Sequence, residues 1–352
     1  MIIGFYLRTA SFGGGERMKL TLMTEFLKHN HTIFIYTHNS EEVINLPFPF
    51  ELILMKKRGN KLIQAVSDFL FIYKHFNKTK IDCLINFGFS TRWIIASTLN
   101  GICSIVYPTV DPKFYKNQIY LWLRTKICFQ FCTGIIFQTE TIRKRYSRHV
   151  QSKSIVILNP IMDDDLPMPQ IERKSKIVSV GRLSPEKNFK MLISSYAMLN
   201  KNNYTLHIYG DGPQKNELVD LIEKVGLQDR IFLEGHVNRV VDKIADAEIF
   251  VLCSDLEGMP NALIEAMAMG LACISTDFPS GAARELITNK ENGILVGVGE
   301  TEELSDSIKE LIVNSDLTQK ISLNATNVRN LLSKQLIINK WHQYMLLLNK
   351  SE

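Results

Sequence analysis

Short apolar runs alternate with longer segments of helical period along this chain, and the alternation occurs in two successive sets. Runs 2–7, 32–36, 52–55, 83–86, 104–107, 135–138 and 155–158 are apolar or β-branched and have the length of buried strands. Segments 16–29 and 62–76 carry apolar residues at helical spacing between them. The pattern then restarts, with strands at 176–180, 205–209, 231–234, 249–253, 273–276 and 293–296 and helices at 189–199, 213–225, 240–245, 261–269 and 302–314. Strands joined through helices must run parallel, and a parallel sheet is stable only when both faces are covered. The expected fold class is α/β, with doubly wound sheets.

The two sets part at Asn159-Pro160-Ile161, followed by Met162-Asp163-Asp164-Asp165-Leu166-Pro167-Met168-Pro169. Three prolines in so short a stretch cannot continue a helix or a central strand. A chain of 352 residues suits two domains of about 150–180 residues each. The expected division is 1–162, 163–330 and a last segment, 331–352. The apolar residues of that segment (Leu336, Ile337, Trp341, Tyr344, Met345, Leu348) follow a helical pattern able to fold back on the first domain. Asp163 to Asp165 is read as a solvated hinge. A carboxylate pair that holds a divalent cation for a nucleotide-sugar sits at a strand end, and here it lies in a proline-rich linker.

Several classes are disfavoured. No stretch approaches the ~18–20 uninterrupted apolar residues of a membrane span. Residues 1–7 read as a buried strand and lack the basic start and small-residue cleavage site of a signal peptide. The six cysteines lie mostly in apolar runs without Cys or His partners at metal spacing, so reduced core thiols of a cytoplasmic protein are expected. Charge is uneven: residues 1–162 hold 21 Lys and Arg against 9 Asp and Glu, and residues 163–352 hold 20 against 27. The basic half suits an anionic surface such as phospholipid, a lipid diphosphate or nucleic acid. Drift in a lysine-rich composition is the plainer explanation.

The richest motif is Glu257-Gly258-Met259-Pro260-Asn261-Ala262-Leu263-Ile264-Glu265-Ala266-Met267-Ala268-Met269-Gly270, directly after the strand at 249–253. Pro260 suits a first helical position and Gly270 a C-terminal exit. Glu257 then lies on the loop over the carboxyl ends of the strands, with Glu265 about one turn into the helix. The amides near Asn261 to Leu263 make a helix N-terminus suited to a diphosphate. In an open parallel sheet the ligand crevice lies outside those strand ends. Both carboxylates can accept hydroxyl protons from a sugar or ribose. The alternative is a pair of solvated acids at a helix start.

Val180-Gly181-Arg182-Leu183-Ser184-Pro185-Glu186-Lys187-Asn188 also joins a strand to a helix, and Arg182 and Lys187 can neutralise a diphosphate from it. Tyr209-Gly210-Asp211-Gly212-Pro213 is a glycine turn between strand and helix, weak by itself. Phe12-Gly13-Gly14-Gly15-Glu16-Arg17 follows the first strand but has neither the G-x-G-x-x-G fingerprint nor a Walker lysine. His236 follows a strand and is a candidate for the base pocket, against a structural histidine.

In this order and spacing the motifs resemble glycosyltransferase family 4, the retaining family with two Rossmann-like domains facing a central cleft (GT-B). The resemblance spans nearly the whole chain and is densest from Lys176 to Val296. It implies that Arg182 and Lys187 hold the donor diphosphate with Asn261 and Leu263. Glu257 would lie by the transferred sugar as the catalytic residue, and Glu265 would hold the ribose beside Gly258, Met259 and Pro260. Gly13, Gly14 and Gly15 would face the donor phosphates, and Gly210 and His236 the nucleobase. Gln138-Thr139-Glu140 and Asn159-Pro160-Ile161 also look familial. Many members carry a histidine on a first-domain loop near the sugar; the stretch Val106-Tyr107-Pro108-Thr109-Val110-Asp111-Pro112 has none, and no role is assigned to Thr109 or Asp111.

Asp277-Phe278-Pro279-Ser280-Gly281-Ala282-Ala283-Arg284-Glu285-Leu286 resembles a segment of members that use UDP-hexoses or UDP-N-acetylhexosamines, although Phe278 and Ala282 replace its Cys and Pro and Glu285 falls one residue late. Two stretches mix cations with aromatics: 56–76, and 113–131 with Phe114, Tyr115, Tyr120, Trp122, Arg124 and Lys126. Such stretches can lie on a membrane. The expectation is a metal-independent enzyme with no cofactor that moves a hexose or N-acetylhexosamine from a UDP-sugar to a glycan or lipid-diphosphate-linked acceptor. O-antigen, capsule or exopolysaccharide assembly fits. The expected location is the cytoplasm, peripheral on the inner face of an anionic membrane, with no nucleic-acid partner. A UDP-sugar epimerase, a phosphorylase, a glycosidase and a non-catalytic sugar-nucleotide-binding subunit stay open as rivals.

Overall fold

The computed structural model describes residues 1–7, 14–39, 46, 48–108, 119–199 and 203–349. The chain divides into two compact units, Met1–Asn159 with Lys334–Glu352, and Pro160–Ser333.

In the first unit the strands are β1 (Ile2–Tyr6), β2 (Thr32–Thr37), β3 (Glu51–Leu54), β4 (Cys83–Phe87), β5 (Cys103–Tyr107), β6 (Gly134–Phe137) and β7 (Ser154–Val156). They form one parallel sheet in the order β3-β2-β1-β4-β5-β6-β7. The second unit has β8 (Lys174–Val180), β9 (Thr205–Tyr209), β10 (Ile231–Gly235), β11 (Ala247–Leu252), β12 (Ala272–Thr276) and β13 (Ile294–Val296). Its sheet is also parallel, in the order β10-β9-β8-β11-β12-β13. Each sheet therefore reverses its winding direction once, between β1 and β4 and between β8 and β11. Such a switch point opens a crevice at the carboxyl ends of the two central strands. The expected doubly wound α/β class is present in both units.

The central strands are buried on both faces, which explains their unbroken apolar runs. In the second unit Ile177, Ile208, Ile249, Val251 and Ile274 share a core with Phe189, Leu192 and Tyr196 of the helix Phe189–Ala197. In the first unit Trp93 lies within 4.9 Å of Tyr36 and 5.0 Å of Tyr6, ring to ring, between sheet and helices. All six cysteines are free and buried, and burial pushes the Cys253 thiol up to about 12, so it is inert as a nucleophile.

The helix Lys334–Asn349 belongs to the first unit. Trp341 is fully buried, 6.4 Å from Phe26 and 5.4 Å from Tyr107. The Tyr344 hydroxyl donates to the Lys153 carbonyl at 2.8 Å and accepts from the Ile135 amide at 3.1 Å. Gly134 makes this approach possible, because a Cβ there would meet Leu348 Cδ1 at 2.4 Å.

Helices at Thr91–Leu99, Ile119–Phe131 and Ser315–Ala325 are further elements that the sequence pattern does not announce. Among the described residues no helix is long and apolar enough to cross a membrane.

Candidate donor site at the second switch point

Two loops leave the adjacent strands β8 and β11 at the carboxyl edge of the second sheet. The first, Gly181 to Asn188, is shaped by the turn after β9. The Gly181 amide donates to the Tyr209 carbonyl, the Leu183 amide to the Asp211 carbonyl and the Gln214 amide to the Leu183 carbonyl, each at 3.0 Å. This contact demands glycine. Gly210 has φ +142°, and a Cβ there would stand 1.8 Å from the Gly181 carbonyl oxygen. The Gly210 amide also donates to the Gly235 carbonyl at 2.8 Å, which brings the start of the exposed His236 beside the turn. Gly210 thus has a packing task whatever it offers a ligand.

A single 3₁₀ turn, Pro185–Lys187, ends at Asn188, which adopts the left-handed conformation (φ +47°) and caps the following helix by accepting from the Met191 amide at 3.3 Å. The same side chain donates to Asp255 Oδ1 at 2.8 Å, and the Asp255 amide donates to the Glu186 carbonyl at 2.8 Å. The Cys253 thiol reaches the Lys187 carbonyl at 3.2 Å. Three contacts therefore sew the loop after β8 to the loop after β11.

Their junction carries the charged pair. The Lys187 ammonium donates to Glu257 Oε1, and the Ser254 hydroxyl donates to the same oxygen at 2.9 Å. The two charged side chains are mostly buried, 21% and 13% exposed. Ser254 is fully buried, and its carbonyl accepts from the Thr276 hydroxyl at 2.5 Å, which anchors the loop to the end of β12. Arg182 stays exposed on the same loop. Its charge bears on Glu186, whose carboxyl is held below the usual range first by the Ser184 hydroxyl at 2.6 Å and then by its own backbone, Lys187 and Arg182.

The loop after β11 continues into the helix Asn261–Ala268. Here the structure departs from expectation at two points. Pro260 precedes the helix rather than opening it, with ψ 86°. Its carbonyl accepts from the Leu263 amide at 3.0 Å and the Ile264 amide at 3.2 Å, so the Leu263 N–H expected to face a ligand is engaged within the helix. Met259 and Pro260 are buried, and Glu265 in the second turn is only 5% exposed, so its carboxylate lies within the fold rather than on a solvated face. The Gly258 carbonyl accepts from the Ser280 hydroxyl at 3.1 Å, tying this loop to the segment after β12. There Asp277 and Arg284 form a two-bonded ion pair at 2.8 and 2.6 Å.

Gly14 and Gly15 open the helix Gly14–Lys28 after β1 in the other unit, and Gly13 lies outside the described residues. So do Thr109 and Asp111. The Tyr107 hydroxyl donates to Asn159 Oδ1 at 2.7 Å and accepts from Gln138 Nε2 at 2.9 Å, so the familial Gln138 and Asn159 close a buried polar network at the ends of β5, β6 and β7. The sequence reading missed Ser254, Asn188 and Asp255. The Ser254-x-x-Glu257 spacing was the available signal for the first. No group of His, Cys, Asp and Glu able to hold a metal ion occurs among the described residues.

A cation paired with a carboxylate beside a helix start, at the switch point of a parallel sheet, suits a ligand with both a diphosphate and a polyol. Comparison with known proteins agrees with this chemistry. Residues 165–328 match the family described as Glycosyl transferases group 1. A Campylobacter jejuni enzyme, GalNAc-alpha-(1->4)-GalNAc-alpha-(1->3)-diNAcBac-PP-undecaprenol alpha-1,4-N-acetyl-D-galactosaminyltransferase, is 26% identical over 341 residues, covering 94% of this chain and 93% of its own. The amylovoran biosynthesis glycosyltransferase AmsD of Erwinia amylovora is 22% identical, covering 95% and 96%. The crystal structure of Anabaena HepE in complex with UDP superposes with a TM-score of 0.84 at 17% identity, covering 97% of this chain and 99% of that one. The apo lipopolysaccharide outer core galactosyltransferase WaaB superposes at 0.80 and 18% identity, covering 98% and 99%. With that match over residues 165–328, glycosyltransferase relatives along nearly the full length and the shared pair of Rossmann-like units, the chain is a glycosyltransferase of the type that its motifs resemble.

Proposed function

We propose that the chain transfers a hexose or N-acetylhexosamine from a UDP-sugar to a growing, lipid-diphosphate-linked glycan, with the anomeric configuration retained and without a metal ion. The observation that carries this reading is the Lys187–Glu257 pair at the β8/β11 switch point. In this reading Lys187 and Arg182 take the charge of the diphosphate, with the amides around Asn261 beside them. Glu257 orients the sugar and Glu265 receives the ribose hydroxyls. The sugar C1–phosphate oxygen bond breaks while the acceptor oxygen bonds C1 on the same face. The acceptor proton passes to the departing phosphate oxygen, and UDP leaves. Fixed cations stabilise that oxygen as its negative charge develops.

The donor assignment is supported by the Anabaena neighbour, whose crystal structures hold UDP, UDP with glucose, and UDP-glucose. The acceptor assignment is supported by the Campylobacter relative, named for an undecaprenol-diphosphate-linked acceptor. The basic character of residues 1–162 and the exposed apolar side chains Leu62, Val66, Leu70, Ile119 and Leu123 support peripheral contact with an anionic membrane at its cytoplasmic face. Mass spectrometry of products from a panel of UDP-sugars with bacterial lipid extract tests the whole. The expected outcome is one hexose or N-acetylhexosamine added to a lipid-linked species, undiminished by EDTA. Sugar conversion without an acceptor would favour an epimerase. Loss of activity in EDTA with recovery in manganese or magnesium would remove metal independence.

A further inference from the structure

The helix Ile119–Phe131 is apolar almost all round, which a helix on the surface of a water-soluble domain seldom is. Its exposed side carries two parallel rows at four-residue spacing. One is wholly apolar: Ile119, Leu123, Ile127 and Phe131, between 36% and 74% exposed. The next row, Trp122, Lys126 and Gln130, lines a pocket of about 540 Å³ whose opposite wall is the segment from Arg145 to Val150. The Lys126 ammonium sits 3.8 Å above the Trp122 indole ring, a cation–π contact that holds the charge at the pocket. Arg145 and His149 add two more cationic or titratable groups, and no carboxylate is among the described residues lining the pocket. Its floor is rigid: Phe129 meets Tyr146 edge-on at 5.1 Å, and Tyr146 stacks on Phe137 at 5.2 Å. From Ile119 to Lys153 the chain holds seven Lys and Arg (Arg124, Lys126, Arg143, Lys144, Arg145, Arg148, Lys153) and one carboxylate, Glu140, which is ion-paired to Arg143.

A cationic pocket with an aromatic floor beside a straight apolar row matches the two halves of a membrane lipid. We propose that this pocket binds the phosphate and glycerol of an anionic glycerophospholipid headgroup, while the row Ile119, Leu123, Ile127 and Phe131 lies against the acyl region of the same bilayer. Lys126 and Arg145 hold the phosphate, and Gln130 is placed to bond the glycerol hydroxyls. The proposal rests on the membrane contact proposed above and narrows it to one headgroup site in the first unit.

Trp122 reports on the site directly, because the other two tryptophans, Trp93 and Trp341, are fully buried. Monomeric short-chain phosphatidylglycerol should shift Trp122 emission saturably, and inorganic phosphate at the same concentration should not. Lys126→Glu and Arg145→Gln, each checked for an unchanged thermal midpoint, should weaken that binding by about tenfold or more. Lys144→Glu, a larger charge change than Arg145→Gln but at an exposed position outside the pocket, should cost far less. An equal shift with inorganic phosphate would make this a free-phosphate site and overturn the lipid assignment. Co-sedimentation with phosphatidylcholine vesicles, with and without phosphatidylglycerol, separates the two readings. If the wild type binds the anionic vesicles and both pocket variants bind them equally well, the pocket assignment falls and membrane contact stands. If the wild type binds neither vesicles nor short-chain lipid, both fall.

Discussion

The Lys187 ammonium is hydrogen-bonded to Glu257 Oε1, so the cation proposed to hold the donor diphosphate is already paired with the carboxylate proposed to lie beside the sugar. A diphosphate must compete with Glu257 for Lys187, and its arrival frees Glu257 to meet sugar hydroxyls. Charge-assisted hydrogen bonds are worth roughly 1.5–3 kcal/mol, and the lost ion pair offsets part of that. Lys187→Ala should weaken UDP binding by about tenfold or more. Glu257→Gln should bind UDP as well as the wild type or a few-fold tighter, since Lys187 loses a charged competitor. Isothermal calorimetry decides: unchanged affinity in a folded Lys187→Ala protein removes Lys187 from the diphosphate site.

Ser254 donates to the same carboxylate oxygen from a fully buried position, so it orients Glu257 without access to solvent. Ser254→Ala should lower kcat by roughly three- to tenfold with little change in UDP affinity, because the lost bond acts on orientation rather than on the diphosphate. Ser254→Cys, with a weaker donor, should fall between. A kcat equal to wild type in Ser254→Ala would show that Lys187 and the loop suffice to place the carboxylate.

Gly210 and Gly226 both have positive φ, at +142° and +68°, but only Gly210 faces backbone at contact distance. Gly210→Ala must push apart the turn after β9 and the Gly181–Leu183 loop, at a cost of about 1–3 kcal/mol for the strained backbone alone. At about 2–4 °C per kcal/mol for a unit of this size, the thermal midpoint should drop by several degrees, and UDP affinity should fall with it. Gly226→Ala, with open space around its Cβ position, should cost less and leave UDP binding unchanged. Equal effects of the two substitutions would refute the packing role.

Most strands were legible because a doubly wound sheet buries them on both faces, and burial leaves an unbroken apolar run. The same burial hid several helices. Thr91–Leu99 is rich in β-branched and apolar residues, and Ile119–Phe131 carries apolar residues on nearly every side, so neither shows a clear helical period. The charged residues of the donor site were legible because two loops carry them in contiguous motifs. Their partners were not. Asn188 meets Asp255, and Lys187 meets Glu257, only because β8 and β11 are neighbours, and strand order is not written in local pattern; Ser254 and Glu257 share one loop, where their three-residue spacing is the only local sign of the bond. The engaged Leu263 amide escaped for a smaller reason. The sequence marks Pro260 as a helix start but not whether it lies one residue inside or outside.

His31 supplies a pH dependence for the first unit. It is 7% exposed, and neither ring nitrogen has a hydrogen-bond partner among the described residues. Burial first, then the N-terminal ammonium, His342 and His29, push its pKa down to about 4, with Asp82 opposing. Its ring lies 5.1 Å from that of His342 and 5.8 Å from Phe26. Protonation therefore favours the unfolded chain, where histidine has its ordinary value near 6.5. The stabilisation from keeping His31 neutral is full above about pH 6.5 and is lost as pH falls through about 4, amounting to about 3 kcal/mol. Thermal midpoints between pH 7 and pH 4 should fall more steeply for wild type than for His31→Phe. Parallel curves would show that His31 is not the group responsible.

Stereochemistry tests the role of Glu257 most directly. A double displacement needs a carboxylate nucleophile on the sugar face opposite the leaving group. Glu257 is the strong candidate by position, yet it is bonded to Lys187 on the proposed diphosphate side, and its Oε1 also accepts from Ser254. A carboxylate that shares the cation of the leaving group is badly placed for attack from the far face. The same-face route asks less of it: orient the sugar hydroxyls and place negative charge near the oxocarbenium-like ring, while the departing phosphate oxygen takes the acceptor proton. A UDP-α-sugar should therefore give an α-glycoside, read from the anomeric coupling in the proton NMR spectrum of the product. Glu257→Gln should keep donor binding and lose kcat, because an amide still hydrogen-bonds hydroxyls but carries no charge. A β-linked product would refute retention. A Glu257→Gln enzyme with wild-type kcat would leave Glu257 as the keeper of Lys187 and nothing more.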